Sequence, residues 1–370
     1  METMEAFSLR NDTGMENLEP RATPIEESHL TNWRKKATVL VPCRNEAAYI
    51  EKCVRNLFNF SSPEGGFEVI VIDGMSTDGT RDVLTRLNEE FPDLIVIDNP
   101  NQTVPHAMNL GIERARGAYI VRADVRCIHP KSYLRDLIEL SEKSGSDNVG
   151  GVLVPVEGKT YKEKSIALAY KSPIAMGGAL RDRGHFCGET DTVYGGCFKR
   201  ERLLEIGKYD VEMVRNQDDE LSFRLRKMGG KITQDGQIKI QYYPRKYYGQ
   251  LFKQFMQYGY WKVVVIRKHP QQASLRHFLP VALILGFLVF MTLAATVPYG
   301  LLGLAIYGGG YFLAVGSVSL KSFRRGDLKL LPGTVYAIFL IHIGFGTGFL
   351  MGVIGRFSQV KLRWFESLSR

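Results

Sequence analysis

Cysteine is scarce in this 370-residue chain, and the five present (Cys43, Cys53, Cys127, Cys187 and Cys197) are scattered. None forms a C-x-x-C pair or a zinc-ligand spacing, which excludes a disulfide scaffold and a zinc module and leaves reduced core thiols as the expectation. No G-x-G-x-x-G turn follows the first predicted strand, where a nicotinamide-dependent oxidoreductase needs one. Pro42-Cys-Arg-Asn-Glu46 stands there instead. The N-terminus lacks the apolar run of a signal peptide. Residues 1–30 carry seven acids against Arg10 and Arg21 and few large apolar groups, so 1–36 reads as a disordered acidic leader.

Acids are absent from Tyr243 to Arg276, where Arg245, Lys246, Lys253, Lys262, Arg267, Lys268 and Arg276 stand. Such a run suits a polyanion, either nucleic acid or an anionic membrane face. The sequence C-terminal to it decides between them, because charge of either sign then disappears. Phe278–Thr296, Tyr299–Leu320 and Leu331–Ile354 are three runs long and apolar enough to cross a bilayer. Nucleic acid is therefore set aside and a membrane is the expected partner. Within 243–276, Leu251, Phe252, Phe255, Met256 and Val263 recur at helical spacing, which fits an interfacial helix or a domain-edge helix with a solvated basic face. Gly344, Gly348 and Gly352 permit close helix packing. His342, inside the third run, reads as a packed structural histidine. Lys321, Arg324, Arg325 and Lys329 put their segment on the cytoplasmic side with 243–276. The basic tail after Arg356 conflicts with an odd number of spans unless one run is re-entrant or the tail departs from the rule.

Between these regions, 37–242 alternates short β-rich runs with helical ones. Strands are predicted at Ala37–Val41, Phe67–Ile72, Leu94–Ile97 and Ala118–Arg122. Helices are predicted at Glu46–Phe60, Thr80–Glu90 and Val104–Ala115. This alternation indicates a parallel sheet in a doubly wound, Rossmann-like α/β domain, with ligands beyond the carboxyl ends of the strands. The expected organisation is thus 1–36 leader, 37–242 catalytic domain, 243–276 basic interfacial segment, 277–356 transmembrane helices and 357–370 tail.

Four motifs carry chemistry. In Val39-Leu-Val-Pro-Cys-Arg-Asn-Glu46 a strand gives way to a polar turn that suits a nucleotide pocket, although Asn45 also fits a helix N-cap. Val69–Thr80 delivers Asp73 to a strand end, where a carboxylate can accept from a base or a ribose; Ser76 and Asp78 fit a turn there equally well. Ala118–Arg126 ends another strand in Asp124, placed to hold a divalent cation. Asn216-Gln-Asp-Asp-Glu-Leu opens an amphipathic helix with acids, which the helix dipole favours and which a general base for a sugar hydroxyl also requires.

Taken in order, these motifs, with Asn109-x-Gly111, Ala115-Arg-Gly117, Gly195-Gly196 and Arg224, resemble the family-2 glycosyltransferases, inverting enzymes with the GT-A fold. The resemblance covers about 37–235. With the apolar C-terminal region, the chain looks like the ExoA-type enzymes of succinoglycan biosynthesis, which act on undecaprenyl-diphosphate-linked acceptors. The resemblance implies that Pro42, Arg44, Asn45, Glu46, Asp73, Ser76, Asn109, Arg122, Asp124 and Arg126 bind a nucleotide-sugar donor, with a UDP-sugar favoured over a GDP-sugar. It implies Mn2+ or Mg2+ at Asp124, the first acid of D-x-D, and Asp218 as catalytic base. Gly195, Gly196, Asp219, Gln257 and Trp261 would face a lipid-linked saccharide acceptor. Three departures stand out: Arg126 replaces the second acid of D-x-D, Gln217 replaces a usual Glu, and Tyr260 replaces the Arg of Q-x-x-R-W, which argues against processive polymerisation. Two other readings remain: a polyprenyl-phosphate sugar transferase, and a non-catalytic membrane scaffold or transporter component that would leave the ordered strand-end acids unexplained.

Overall fold

The computed structural model describes residues 35–175, 186–321, 323 and 325–357. Of the expected 1–36 leader and 357–370 tail, residues 1–34 and 358–370 lie outside the described residues, as does Arg324, whereas Lys35 and Lys36 already belong to a strand and Phe357 to a helix. Four strands make the parallel half of one sheet: β1 (Lys35–Cys43), β2 (Phe67–Asp73), β3 (Leu94–Asp98) and β4 (Gly117–Arg122). They are joined through α1 (Ile50–Phe58), α2 (Thr80–Glu90) and α3 (Val104–Arg114). Val39, Val41, Val69, Val71 and Val121 join the core that contains α1, whereas Leu40, Ile70, Ile72 and Ile120 join the core that contains α3. A sheet covered on both faces needs apolar groups at every strand position, which is why these strands read as unbroken apolar runs.

The rest of the domain comprises β5 (Cys127–Ile128), α4 (Tyr133–Ser144), β6 (Asn148–Pro155), α5 (Tyr161–Lys171), β7 (Cys187–Glu189), β8 (Cys197–Lys199), α6 (Arg200–Glu205), α7 (Gln217–Lys227) and β9 (Ile232–Tyr242). Strand order is β3-β2-β1-β4-β8-β6-β9-β5, with β7 on β9. The expected parallel, doubly wound arrangement holds for β1 to β4, and the rest of the sheet is mixed: β8 runs antiparallel to both β4 and β6. Strand–helix alternation governs only the first four strands, and β8 enters between β4 and β6 from much later in the chain. Cys43, Cys53, Cys127 and Cys197 are buried and in no disulfide among the described residues, as expected, but Cys187 is exposed, because its strand lies at the sheet margin.

Four helices follow: α8 (Tyr248–Lys268), α9 (Leu275–Thr296), α10 (Gly300–Lys321) and α11 (Leu331–Phe357). The last three are each long and apolar enough to cross a membrane. α9 and α10 form a hairpin turning at Val297–Tyr299, with Phe290 stacked on Tyr307 at 5.0 Å. None of the apolar window of α9 is buried inside the protein, against 44% of that of α11. The difference arises because α11 packs along α8.

Glycine makes that packing possible. A Cβ on Gly348 would stand 1.8 Å from the Met256 carbonyl oxygen, and one on Gly259 would stand 2.0 Å from that of Phe345. Gly344 and Gly352 face the Phe252 and Tyr260 carbonyls in the same way. The two helices therefore run backbone to backbone, as the four-residue glycine spacing predicts. At the other end of α11, Gly333 donates its N–H to the Tyr161 hydroxyl of α5 at 3.0 Å and accepts from Tyr248 at 3.3 Å. We expect Gly348→Ala to destabilise the protein by about 1–3 kcal/mol through overpacking. Gly310→Ala, whose Cβ meets nothing within 4 Å, should leave the detergent-solubilised melting point unchanged; equal midpoints for the two variants would refute a tight seam.

Candidate active site

β1 and β4 are neighbours, yet the chain leaves β1 for β2 on one side and arrives at β4 from β3. A crevice opens beyond the strand ends at such a reversal. Here it is a cavity of about 1130 Å³ whose walls include Pro42, Arg44, Asn45, Glu46, Arg122, Asp124, Arg126, Asp218 and Asp219. The structure thus gathers these residues into one space although up to 177 positions separate them, from Pro42 to Asp219.

The first wall is the loop after β1. Helix α1 begins at Ile50, not at Glu46 as periodicity predicts, and the turn ahead of it is tied to the loop after β2. Asn45 adopts a left-handed φ of 47°. Its N–H donates to Ser76 Oγ at 2.7 Å, and its Oδ1 accepts from Thr77 N at 2.7 Å. Glu46 N donates to Thr80 Oγ1 at 2.8 Å and Ala47 N to Asp78 Oδ2 at 3.2 Å. Asp78 is a loop tie, and Asn45 does not cap α1. Asp73 is fully buried and holds the opposite loop, accepting from Ser76 N at 3.0 Å, Ser76 Oγ at 2.5 Å and Arg81 Nη1 at 3.0 Å.

The centre is Arg122, the last residue of β4 and itself 8% exposed. Its Nε donates to Asp124 Oδ1 at 3.0 Å, and its Nη1 donates to Asp218 Oδ1 and Oδ2 at 2.7 and 2.9 Å. One guanidinium therefore fixes both carboxylates. The Tyr194 hydroxyl donates to the other Asp124 oxygen. Burial alone would raise the Asp124 pKa, but the Arg122 charge and the Tyr194 hydroxyl overcome it and hold the carboxyl below its ordinary value. Asp218 goes the other way. Although 30% of its side chain is open to the cavity, desolvation pushes it up to about 6, with the charges of Asp124 and Asp219 adding to the rise and Arg122 opposing it. Two acids held by one cation are thus set apart in acidity, the pattern that distinguishes an ionised ligand from a proton acceptor.

Gly195 and Gly196, both with positive φ (67° and 77°), bring Tyr194 to Asp124. A Cβ on Gly196 would lie 2.5 Å from Asn148 Oδ1, and the Gly196 carbonyl accepts from Arg122 N at 3.1 Å. Neither glycine lines the cavity wall, and the same is true of Asp73, Ser76, Asn109, Gln257 and Trp261. Asn109 clamps α3 to Tyr209, accepting from its N–H at 2.9 Å and donating to its carbonyl at 2.8 Å. Gln257 and Trp261 are buried in α8, with Trp261 packed on Met213 and Val265. Lys262 of the same helix reaches Asp219 at 2.8 Å, and Lys268 reaches Asp210 and Glu212. His342 is braced between the Tyr311 hydroxyl (2.9 Å) and the Ile174 carbonyl (3.0 Å), a packed histidine as expected.

Sequence reasoning missed Tyr194 and Arg215, both in the cavity wall. The Tyr194-Gly-Gly turn was the available signal for the first.

The donor set bears on a divalent cation. No group of three His, Cys, Asp or Glu lies together among the described residues. Arg126, in the place of a second acid, pairs with Glu46 at 3.1 Å and lies over the Tyr49 ring. Asp124 remains, with each oxygen accepting one protein hydrogen bond and 24% of its side chain exposed to the cavity. A single carboxylate fits Mg2+ or Mn2+ when water and substrate phosphates complete the shell.

A switch-point crevice holding an ionised acid, a second acid of raised pKa and a guanidinium between them suits a group-transferring α/β enzyme. Residues 38–202 match the family model for Glycosyl transferase family 2. The chain carries a domain of that family and is a glycosyltransferase. It is 29% identical over 317 residues to the succinoglycan biosynthesis protein ExoA of Rhizobium meliloti, covering 84% of this chain and 93% of that protein. It is 26% identical over 334 residues to the dolichyl N-acetyl-alpha-D-glucosaminyl phosphate 3-beta-D-2,3-diacetamido-2,3-dideoxy-beta-D-glucuronosyltransferase of Methanococcus voltae, covering 88% and 99%. Among solved structures, the mannosyltransferase PcManGT from Pyrobaculum calidifontis, in complex with GDP-Man and Mn2+, shares the fold with a TM-score of 0.59 at 20% identity, over 87% of this chain and 88% of that one. With its three apolar helices, the chain is a membrane-associated glycosyltransferase of polysaccharide or glycan biosynthesis.

Proposed function

We propose that the chain is an inverting transferase that moves a hexose from a nucleotide-diphosphate sugar, a UDP-sugar, to a lipid-linked saccharide at a membrane, with its catalytic domain on the cytoplasmic side. The observation that carries this reading is the Arg122 bridge between Asp124 and Asp218, in a cavity that also meets the apolar helices. The loop Pro42–Glu46 would hold the nucleotide. Asp218 would take the proton of the acceptor hydroxyl, whose oxygen then attacks the anomeric carbon from the side opposite the nucleotide and inverts it. Arg122 would hold Asp218 in line for that proton and keep enough of it ionised. A divalent cation, when bound, would sit on Asp124 and offset the charge of the departing diphosphate. The sequence relatives support a lipid-linked acceptor, since one is named for succinoglycan synthesis and another for a dolichyl phosphate-linked sugar.

The test uses the full chain in nanodiscs, a panel of UDP- and GDP-sugars, and two acceptors, a polyprenyl-diphosphate-linked saccharide and a bare polyprenyl phosphate. We expect transfer to the saccharide from one UDP-sugar, abolished by EDTA and restored by Mn2+. Transfer to the bare phosphate instead would make the chain a polyprenyl-phosphate sugar transferase. Transfer to neither, from any donor, would sink the reading.

A further inference from the structure

The cavity continues past the carboxylates. Beyond Asp218 its wall runs over Gln254 and Tyr258 of α8 and onto Leu283 of α9, Tyr311 of α10 and Phe345 of α11. Part of the wall therefore carries the carboxylates, and part is built from the helices able to enter a membrane, where His277 and His342 stand among largely apolar groups. Two guanidiniums line this same space, Arg215 just ahead of α7 and Arg245 just ahead of α8. Nearby cations are already matched: Arg122 by Asp124 and Asp218, Lys262 by Asp219. Arg215 and Arg245 have no carboxylate partner among the described residues, and the enclosed Nε of Arg215 has no hydrogen-bond acceptor. Burial first, opposed by Tyr258 and Asp124 and aided by the like charges of Arg245 and Arg122, holds the Arg215 guanidinium below its ordinary value. An enclosed, unmatched guanidinium beside a second, half-buried cation is costly unless an anion joins it. Guanidinium forks suit phosphate oxygens in particular.

We propose that Arg215 and Arg245 bind the phosphate of a long-chain lipid phosphate ester, whose apolar chain lies along Leu283, Tyr311 and Phe345 while its saccharide end reaches Asp218. This rests on the proposed lipid-linked acceptor and says where that lipid enters. It assigns the two arginines to the acceptor, leaving the donor to the Pro42–Glu46 side.

The experiment measures retention of a polyprenyl phosphate, and of the neutral polyprenol of equal chain length, on the full-length protein in phosphatidylcholine nanodiscs by native mass spectrometry. UDP binding is measured on the same samples. The wild type should prefer the phosphate by about tenfold or more, the worth of charge-assisted hydrogen bonds. Arg215→Gln combined with Arg245→Gln should remove that preference and leave UDP binding unchanged. Arg215→Lys with Arg245→Lys, which keeps the charge, should retain most of it and serves as the folding control. Leu283→Trp should weaken both lipids. A phosphate preference that survives the double glutamine change overturns the site. Loss of UDP affinity with the lipid preference intact also overturns it, by moving the arginines to the donor. Failure of the activity reading looks different: the lipid phosphate would still bind at the two arginines, yet no nucleotide-sugar would give transfer to a lipid-linked acceptor.

Discussion

Asp218→Asn should lower the rate of sugar transfer by about 10²–10⁴-fold, the usual worth of a positioned general base, while donor binding stays at the wild-type level. The amide keeps the shape and one acceptor oxygen for Arg122 Nη1, so the cavity should persist. What is lost is a group able to take a proton. The wild-type pH profile supplies the matching sign. A base works only when ionised, and the Asp218 carboxyl is pushed up to about 6 by desolvation first. Transfer efficiency should therefore be flat above that value and fall about tenfold per pH unit below it. Wild-type turnover in the Asp218→Asn protein would remove Asp218 from the chemistry. An acid limb near the ordinary carboxylate range would show that the cavity does not desolvate it.

Arg122→Gln should be nearly as damaging, by about 10²-fold or more in kcat/KM, the cost expected for taking one member from an enclosed charge pair. Two carboxylates, Asp124 and Asp218, would then face each other without their shared cation. Arg122 works against the rise of the Asp218 pKa, whereas Asp124 works for it. Deleting the arginine leaves only the raising influences, so the acid limb of the profile should move above 6 and part of the lost rate should return at alkaline pH. A purely structural defect would lower the rate equally at every pH. Measuring kcat/KM across pH for both proteins, with circular dichroism to confirm folding, separates the two cases.

Much of this arrangement is legible in the sequence. Strands β1, β2 and β4 are buried on both faces, so they read as largely apolar runs, whereas β3 at the sheet edge leaves Val96 exposed. Asp124 is marked by its place at a strand end. How distant segments meet is not legible in the same way. Arg122 stands 96 residues from Asp218, and Tyr194 stands 70 from Asp124. Those pairings depend on β8 entering antiparallel beside β4, an event with no periodicity of its own. Asn109 looks like a free amide on a helix, yet Tyr209 captures both its ends. Gln257 and Trp261 sit at promising spacing, but the face of α8 they occupy is decided by how α11, some ninety residues later, lies against it. Likewise, the turn ahead of α1 is tied to another loop, where Ser76 and Thr80 accept from the Asn45 and Glu46 N–H groups, a pairing that periodicity does not reveal.

The seam between α8 and α11 bears on what the enzyme can reach. Met256 and Gly348 approach too closely for any side chain to intervene, and α8 is also bound to the mouth of the active site through Lys262 and Asp219 and through Asn216, which donates to the Tyr258 carbonyl at 3.1 Å. Catalytic head and apolar foot are thus joined without a hinge. If the acceptor is lipid-linked as proposed, a fixed distance from Asp218 to the apolar helices would present the end of a growing glycan to it only at one stage of growth. Such a built-in gauge would let the enzyme add its sugar at a set step of assembly by measuring length, with no need to read every residue already in place.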